Sequence, residues 1–173
     1  RAAAEGLPLG LADKVIFALD EVGDLPIEGH ATGRPDLAAT GSYHIRPLGR
    51  PLIEGFLGGD HALTLELAGT TAAFDFAATE LAGILGSGIR RRIRPLLATA
   101  WARDPDARGA YSYAKPGRRA DRAILAAPVD GRIFFAGEAT SAEDYSTAHG
   151  AYESGMRAAH EVREAFTTAS SGA

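Results

Sequence analysis

The stretch "GRIFFAGEATSAEDYSTAHGAYESGMRAAHEV" runs from Gly131 to Val162. Ile133, Phe134, Phe135 and Ala136 form a short apolar run, the pattern of a strand buried on both faces. Asp130-Gly131 marks a turn before it, and Gly137 a turn after it. A polar loop then leads to Ser146 or Thr147, where a long helix should start. On that helix Ala148, Ala151, Tyr152, Gly155, Ala159, Val162 and Phe166 share one face. Glu153, Arg157, Glu161 and Glu164 lie largely elsewhere. The tail "TTASSGA" is expected to fray.

A helix N-terminus presents unpaired N–H groups and a partial positive charge, and so favours anions and electron-rich oxygens. Gly137, Gly150, Ala151 and Gly155 leave room for a flat ligand or for a second backbone. Strand, glycine turn and small-residue helix together suit a cofactor that carries phosphate and a ring. They suit simple helix–sheet packing equally well.

Working outward, the 173 residues suffice for one ordinary domain or two small ones. Hydrophobic residues make up 46% and charged residues 23%, the balance of a globular chain. The net charge of -4 argues against a general nucleic-acid or membrane-surface role. No apolar run is long enough to span a bilayer. With no cysteine, disulfides, thiolate metal sites and cysteine nucleophiles are excluded. The first residue is Arg1 and no signal pattern follows, so a processed subunit, a fragment or an excised piece is expected. A cytoplasmic location is expected, with an upstream targeting signal left open.

Upstream, Asp13 to Val22 reads as a strand and "GHATGRPDLAATG" as loop. "SYHIRPLGRPLIEGFLGG" supplies two short strands separated by Pro47 to Pro51. Phe74, Ala77, Ala78, Leu81 and Leu85 recur at helical spacing over Thr70 to Leu85. Thr70 or Thr71 is the expected cap, and Gly86 and Gly88 the stop. Leu96 to Trp101 reads as a strand that runs into a turn at Asp104 and Pro105. Arg90, Arg91, Arg92 and Arg94 read as solvated charges, too few for a nucleic-acid surface. His30, His44, His61 and His160 show no metal-ligand spacing.

Three motifs together carry a resemblance. "GRIFFAGEATSAEDYSTAHGAYESGMRAA" resembles the C-terminal flavin-binding segment of the flavin-containing amine oxidases, the family of polyamine oxidases, monoamine oxidases and lysine-specific histone demethylases. "WARDPDARGAYSYAKPG" looks like the family's substrate-site strand and turn. "LPLGLADKVIFALD" is similar to its strand with an active-site lysine. The motifs stand in the family's order, and the likeness spans nearly the whole chain, thinnest over Glu21 to Gly69.

The resemblance implies an α+β fold. A mixed-sheet substrate domain with flanking helices would cover residues 1–126. Residues 127–173 would form the C-terminal strand–helix segment of a Rossmann-like FAD-binding domain. Family members hold the ADP half of FAD on a Gly-rich βαβ unit. No such motif occurs here, since "GSG" at Gly86 to Gly88 ends a helix. A complementary chain with that motif is therefore the expected partner, beside a small-molecule amine; nucleic acid and membrane are not.

The resemblance also implies residue roles. Lys14 would hold a water at flavin N5. Tyr111 would flank the substrate, with Thr147 at the facing position, where monoamine oxidases have a second tyrosine. Trp101 would pack near the flavin, Gly137 and Glu138 would contact the pyrophosphate and ribitol, and Thr147 and Ala148 the pyrimidine carbonyl. Ala110 stands where monoamine oxidases bond FAD through cysteine, so FAD should be noncovalent. His149 reads as helix packing or cofactor contact. No metal site is expected. The implied activity is amine oxidation to an imine by hydride transfer to flavin N5, with O₂ reoxidation to H₂O₂. An L-amino-acid oxidase subunit, with Arg46, Arg50 or Arg94 as carboxylate clamp, stays open, as does a non-catalytic fragment lacking FAD.

Overall fold

The computed structural model describes residues 1–171. The chain forms two compact units. One comprises Leu11–Ala110; the other joins Arg1–Gly10 to Tyr111–Ala173. The boundary at 126/127 expected from the resemblance was drawn by function, and compactness divides the chain elsewhere.

The Leu11–Ala110 unit is built on a five-stranded sheet. Its strands are β1 (Ala12–Leu19), β2 (Gly29–Thr32), β3 (Gly41–Ile45), β4 (Leu52–Gly58) and β5 (Ile93–Ala98), in the order β2-β3-β4-β1-β5. Every pairing is antiparallel, so the expected mixed sheet is corrected to an antiparallel one. The connections explain this. Short loops and the tight turn around Pro47–Gly49 return the chain beside itself, as antiparallel pairing permits.

Alternation along β1 buries Asp13, Val15, Phe17 and Leu19 on one face, and leaves Lys14, Ile16 and Ala18 half-buried on the other. Tyr43, Ile45, Ile53 and Leu57 join the buried face. Two helices cover it: α2 (Gly59–Ala68) through Ala62 and Leu65, and α3 (Thr70–Leu85) through Ala73, Ala77 and Leu81. Gly55 sits at the centre of this face because a Cβ there would come within 2.7 Å of Val15 and 2.9 Å of Tyr43. The Tyr43 hydroxyl donates to Glu80 on α3 at 2.7 Å, tying sheet to helix.

Several expectations change here. β2 lies inside the stretch read as loop. It is a short edge strand whose existence depends on its partner β3. The strand placed at Leu96 to Trp101 starts earlier, at Ile93, and ends at Ala98, where a turn takes over. Neither Thr70 nor Thr71 caps α3; Gly69 occupies the N-cap position without a side-chain bond, and Gly86 closes the helix as expected.

The other unit contains α1 (Ala2–Gly6), α4 (Asp121–Ala126) and the long α5 (Ala148–Ser171). Leu9 bridges Ser112, with Gly10 N–H on the Tyr111 carbonyl at 2.7 Å and Tyr113 N–H on the Pro8 carbonyl at 3.0 Å. The apolar run Ile133 to Ala136 is not the buried strand expected. It makes one isolated bridge, Val129 to Ile133, across the Asp130-Gly131 turn, and Ile133 and Phe135 are exposed. Among the described residues no further strand lies beside it.

Helix α5 begins where expected, yet its packed face is Gly150, Ser154 and Ala158. Tyr152, from the apolar stripe read in the sequence, is 70% exposed. Small size decides this: a Cβ on Gly150 would sit 1.9 Å from the Asp144 carbonyl oxygen. The tail expected to fray is helical as far as Ser171; Gly172 and Ala173 lie outside the described residues.

Candidate functional site

Tyr111, Gly137, Glu138, Thr147 and Ala148 belong to one compact unit, and Lys14 and Trp101 to the other. Each set is locally assembled.

In the first set Glu138 is the hub. Its Oε1 accepts the Ser112 N–H at 2.8 Å. Its Oε2 accepts the Ser112 hydroxyl at 2.8 Å and the Ser146 N–H at 2.7 Å. The Ser146 hydroxyl donates back to the Ser112 carbonyl at 2.8 Å. The Ser112 segment is thereby fixed to the Glu138–Ser146 loop, and Tyr111 and Thr147 each stand next to a clamped serine. Arg122 lies behind, 1% exposed, donating to the Ser112 hydroxyl oxygen at 2.8 Å and stacked on the Tyr145 ring. Its Nη1 is 3.9 Å from Glu138 Oε2, a long ion pair inside the same knot.

Gly137 has φ of 127°, a conformation that side chains resist, and its N–H donates to Ser154 Oγ at 2.8 Å. Thr147 is the N-cap of α5: its Oγ accepts the Gly150 N–H at 3.1 Å and donates to the Asp144 carbonyl at 2.6 Å. The first amides of a helix have no partner within it, so the start of α5 at Ala148 offers donors and positive potential to a ligand. Tyr111, Tyr113, Tyr145, Ser146, Lys115 and Arg122 line a pocket of about 400 Å³. Tyr111 is 46% exposed. His149 faces Asp144 at 3.3 Å from an exposed position.

In the second set the main chains of Lys14 and Thr99 interlock. Lys14 N–H donates to Thr99 Oγ at 2.8 Å, and Thr99 N–H to the Lys14 carbonyl at 2.9 Å. Asp13 Oδ1 accepts the Thr99 hydroxyl at 2.8 Å and the Trp101 N–H at 3.3 Å. The main chain around Trp101 is thus tied to β1 next to Lys14, at Asp13. The Lys14 ammonium reaches Glu54 on β4 at 3.0 Å and lies 4.5 Å above the Phe56 ring. Trp101 is 41% exposed.

Of the arginines considered as a carboxylate clamp, Arg94 pairs with Asp20 at 3.5 Å and Arg46 donates to the Leu25 carbonyl at 2.9 Å. Arg92 is bound to the main chain at Glu21 and Val22, which makes it a structural brace. Among the described residues no group of three metal-binding side chains occurs, and no helix is long and apolar enough to cross a membrane.

Ser112 and Arg122 were not singled out from the sequence, and Ser146 only as a possible start of the last helix. Ser112 sits between two tyrosines, and Arg122 resembles its solvated neighbours Arg118 and Arg119; only the fold reveals that it is buried.

The family profile for flavin containing amine oxidoreductases matches residues 1–163. Polyamine oxidase 4 of Oryza sativa subsp. japonica is 32% identical over 162 residues, covering 91% of this chain and 32% of that protein. Lysine-specific histone demethylase 1 homolog 2 of Arabidopsis thaliana is 31% identical over 172 residues, covering 94% of this chain and 23% of that protein. The sequence therefore spans a third or less of these relatives' length. A putrescine oxidase from a structure-based redesign of cofactor binding shares the fold, with a TM-score of 0.73 at 19% identity, over 94% of this chain and 37% of that one. The chain belongs to the flavin-containing amine oxidoreductase family.

Proposed function

We propose that this chain is the C-terminal portion or a subunit of an FAD-dependent amine oxidase, and that it forms the substrate side and the flavin-facing end of the site. The observation that carries the proposal is the Glu138 clamp, which sets Tyr111, Gly137 and the start of α5 around one place.

The residues present suit the flavin half of FAD. Gly137 gives an unhindered turn, with no atom within 4 Å of a Cβ placed there. The amides of Ala148 and its neighbour supply donors for an electron-rich carbonyl. The Glu138 carboxylate is already taken by Ser112 and Ser146, so any contact it makes with the cofactor runs through its backbone. With no cysteine in the chain, a cysteinyl thioether to FAD cannot form here, and the proposed binding is noncovalent. The ADP half requires a Gly-rich element that these 173 residues do not contain.

FAD, when bound, would supply the two-electron oxidising chemistry for an amine, with O₂ as the proposed final acceptor. The protein's own part is orientation and exclusion of water. Tyr111 offers an aromatic face to an amine, which guides a cation by its quadrupole and a neutral amine by shape. The dipole of α5 favours negative charge at its start. Lys14 is assigned to a water near the reacting centre, and its pair with Glu54 also fixes it between strands.

The apolar residues left exposed, among them Leu97, Phe135 and Tyr152, suit burial against the rest of the enzyme. The test is anaerobic titration of the flavin-loaded protein with monoamines, diamines, N-methylated lysine and L-amino acids. Bleaching of the flavin by an amine supports the proposal. Bleaching by L-amino acids alone, or by none of them, overturns it.

A further inference from the structure

The turn that follows β5 is held by two buried acids, and among the described residues no basic side chain pairs with either carboxyl. Asp13 on β1 is 4% exposed and Glu66 on α2 is 6% exposed. Their carboxyl oxygens take up the turn's donors in order. Asp13 Oδ1 accepts the Thr99 hydroxyl at 2.8 Å and the Trp101 N–H at 3.3 Å. Glu66 Oε1 accepts the Ala102 N–H at 3.0 Å, and Oε2 the Arg103 N–H at 3.2 Å. Asp13 Oδ2 is buried and has no hydrogen-bond partner.

The two carboxyls line a common cavity of about 40 Å³. Leu57 from β4, Thr70 and Ala73 from α3, and Ala98 from β5 also line it, all uncharged. Arg103, from the turn, is the other charged residue there. Its guanidinium donates to the Glu66 backbone carbonyl at 3.3 Å, and it makes no ion pair with either carboxylate. Two adjacent carboxylates buried without a paired cation are costly. A proton on Oδ2 removes one charge and turns an orphan acceptor into a donor towards Glu66.

We propose that Asp13 and Glu66 share one proton, and that this proton fastens the Thr99–Arg103 turn, and Trp101 with it, to the sheet. Both acids are positioning residues for that turn. Burial first, and then the neighbouring Glu66, push the Asp13 carboxyl up to about 6. The sign follows. A carboxyl whose pKa is raised on folding contributes fully below its ordinary range, and that contribution is lost as pH rises through about 6. The turn is fastened in mild acid and loosens as pH rises through about 6. Any bearing on cofactor contact rests on the proposed function; the fastening itself does not.

Trp101 is the single tryptophan of the chain, so its fluorescence reports the turn alone, without flavin or substrate. Acrylamide quenching of the full chain is measured from pH 4.5 to 8. The expected result is a roughly twofold rise in quenching through a transition near pH 6. Asp13→Asn keeps an acceptor for Thr99 and Trp101 and carries a permanent donor for Glu66. It should hold the low-pH value throughout, although every histidine is unchanged. Carbon NMR of the wild-type carboxyls is independent of the variant's folding, and should show one buried carboxyl titrating near pH 6. A flat wild-type profile overturns the proposal, as does the same transition in Asp13→Asn, or two buried carboxyls that both titrate in the ordinary range.

Discussion

Glu138 grips Ser112 with both carboxylate oxygens, one on its N–H and one on its hydroxyl, each at 2.8 Å. The same carboxylate also takes the Ser146 N–H, so one side chain fixes the Ser112 segment to the Glu138–Ser146 loop. Glu138→Gln replaces an oxygen with an amide that confronts donors. It should destabilise the protein by about 1–3 kcal/mol, the usual cost of an unmade buried hydrogen bond. Urea unfolding checks this. A change below about 0.5 kcal/mol would remove Glu138 from the centre of the site.

Gly137 makes a separate prediction about backbone alone. Its φ is 127°, and no atom crowds the position a Cβ would take. Gly137→Ala should therefore cost about 1–3 kcal/mol through strain without overpacking. Thermal unfolding should register the loss, while the far-ultraviolet spectrum stays unchanged.

Lys14 has a structural partner and a proposed chemical one. Its pair with Glu54 is partly exposed, and such pairs contribute about 0–1 kcal/mol. Lys14→Met should thus leave stability nearly unchanged. If Lys14 serves the reacting centre, flavin reoxidation should slow by roughly tenfold or more, about 1.4 kcal/mol in barrier. Stopped-flow reoxidation at the wild-type rate would leave Lys14 as a strand-to-strand brace.

Asp104 gives the opposite pH signature to Asp13. Its carboxylate accepts the N–H groups of Asp106 and Ala107, each at 2.9 Å, and these bonds hold its pKa below the usual carboxylate range. A lowered pKa contributes stability above the ordinary range and loses it as pH falls through the folded value. The stability difference between wild type and Asp104→Ala should be present at pH 7 and vanish in acid. A difference that persists unchanged to pH 2 would contradict this.

Much of the sheet was legible because burial follows side-chain alternation. Strand β1 and the β3–β4 pair show that pattern, and α3 shows its helical counterpart in Phe74, Ala77, Leu81 and Leu85. Helix α2 was not visible because its apolar residues and its buried face coincide only in part. Leu63 and Leu67 are exposed, while Ala62, Leu65 and Glu66 are buried. The run Ile133 to Ala136 misled for the converse reason. Apolar composition says that a segment can be buried, but burial as a strand needs a partner beside it. Gly137, Glu138 and Thr147 were named from motif, and the fold brings them into one unit. The roles of Ser112, Ser146 and Arg122 were not legible, because they arise only when three segments meet. The Asp13–Glu66 pair left no local trace, being two ordinary acids until the fold brings them together.

The role proposed for this chain is to complete a noncovalent FAD site in an amine oxidase. Native mass spectrometry of the protein purified from its source, before and after denaturation, tests it most directly. The account predicts an assembly that carries one FAD per copy of this sequence, and release of that FAD intact on denaturation. Protein without flavin, or flavin still attached to this chain after denaturation, would contradict it.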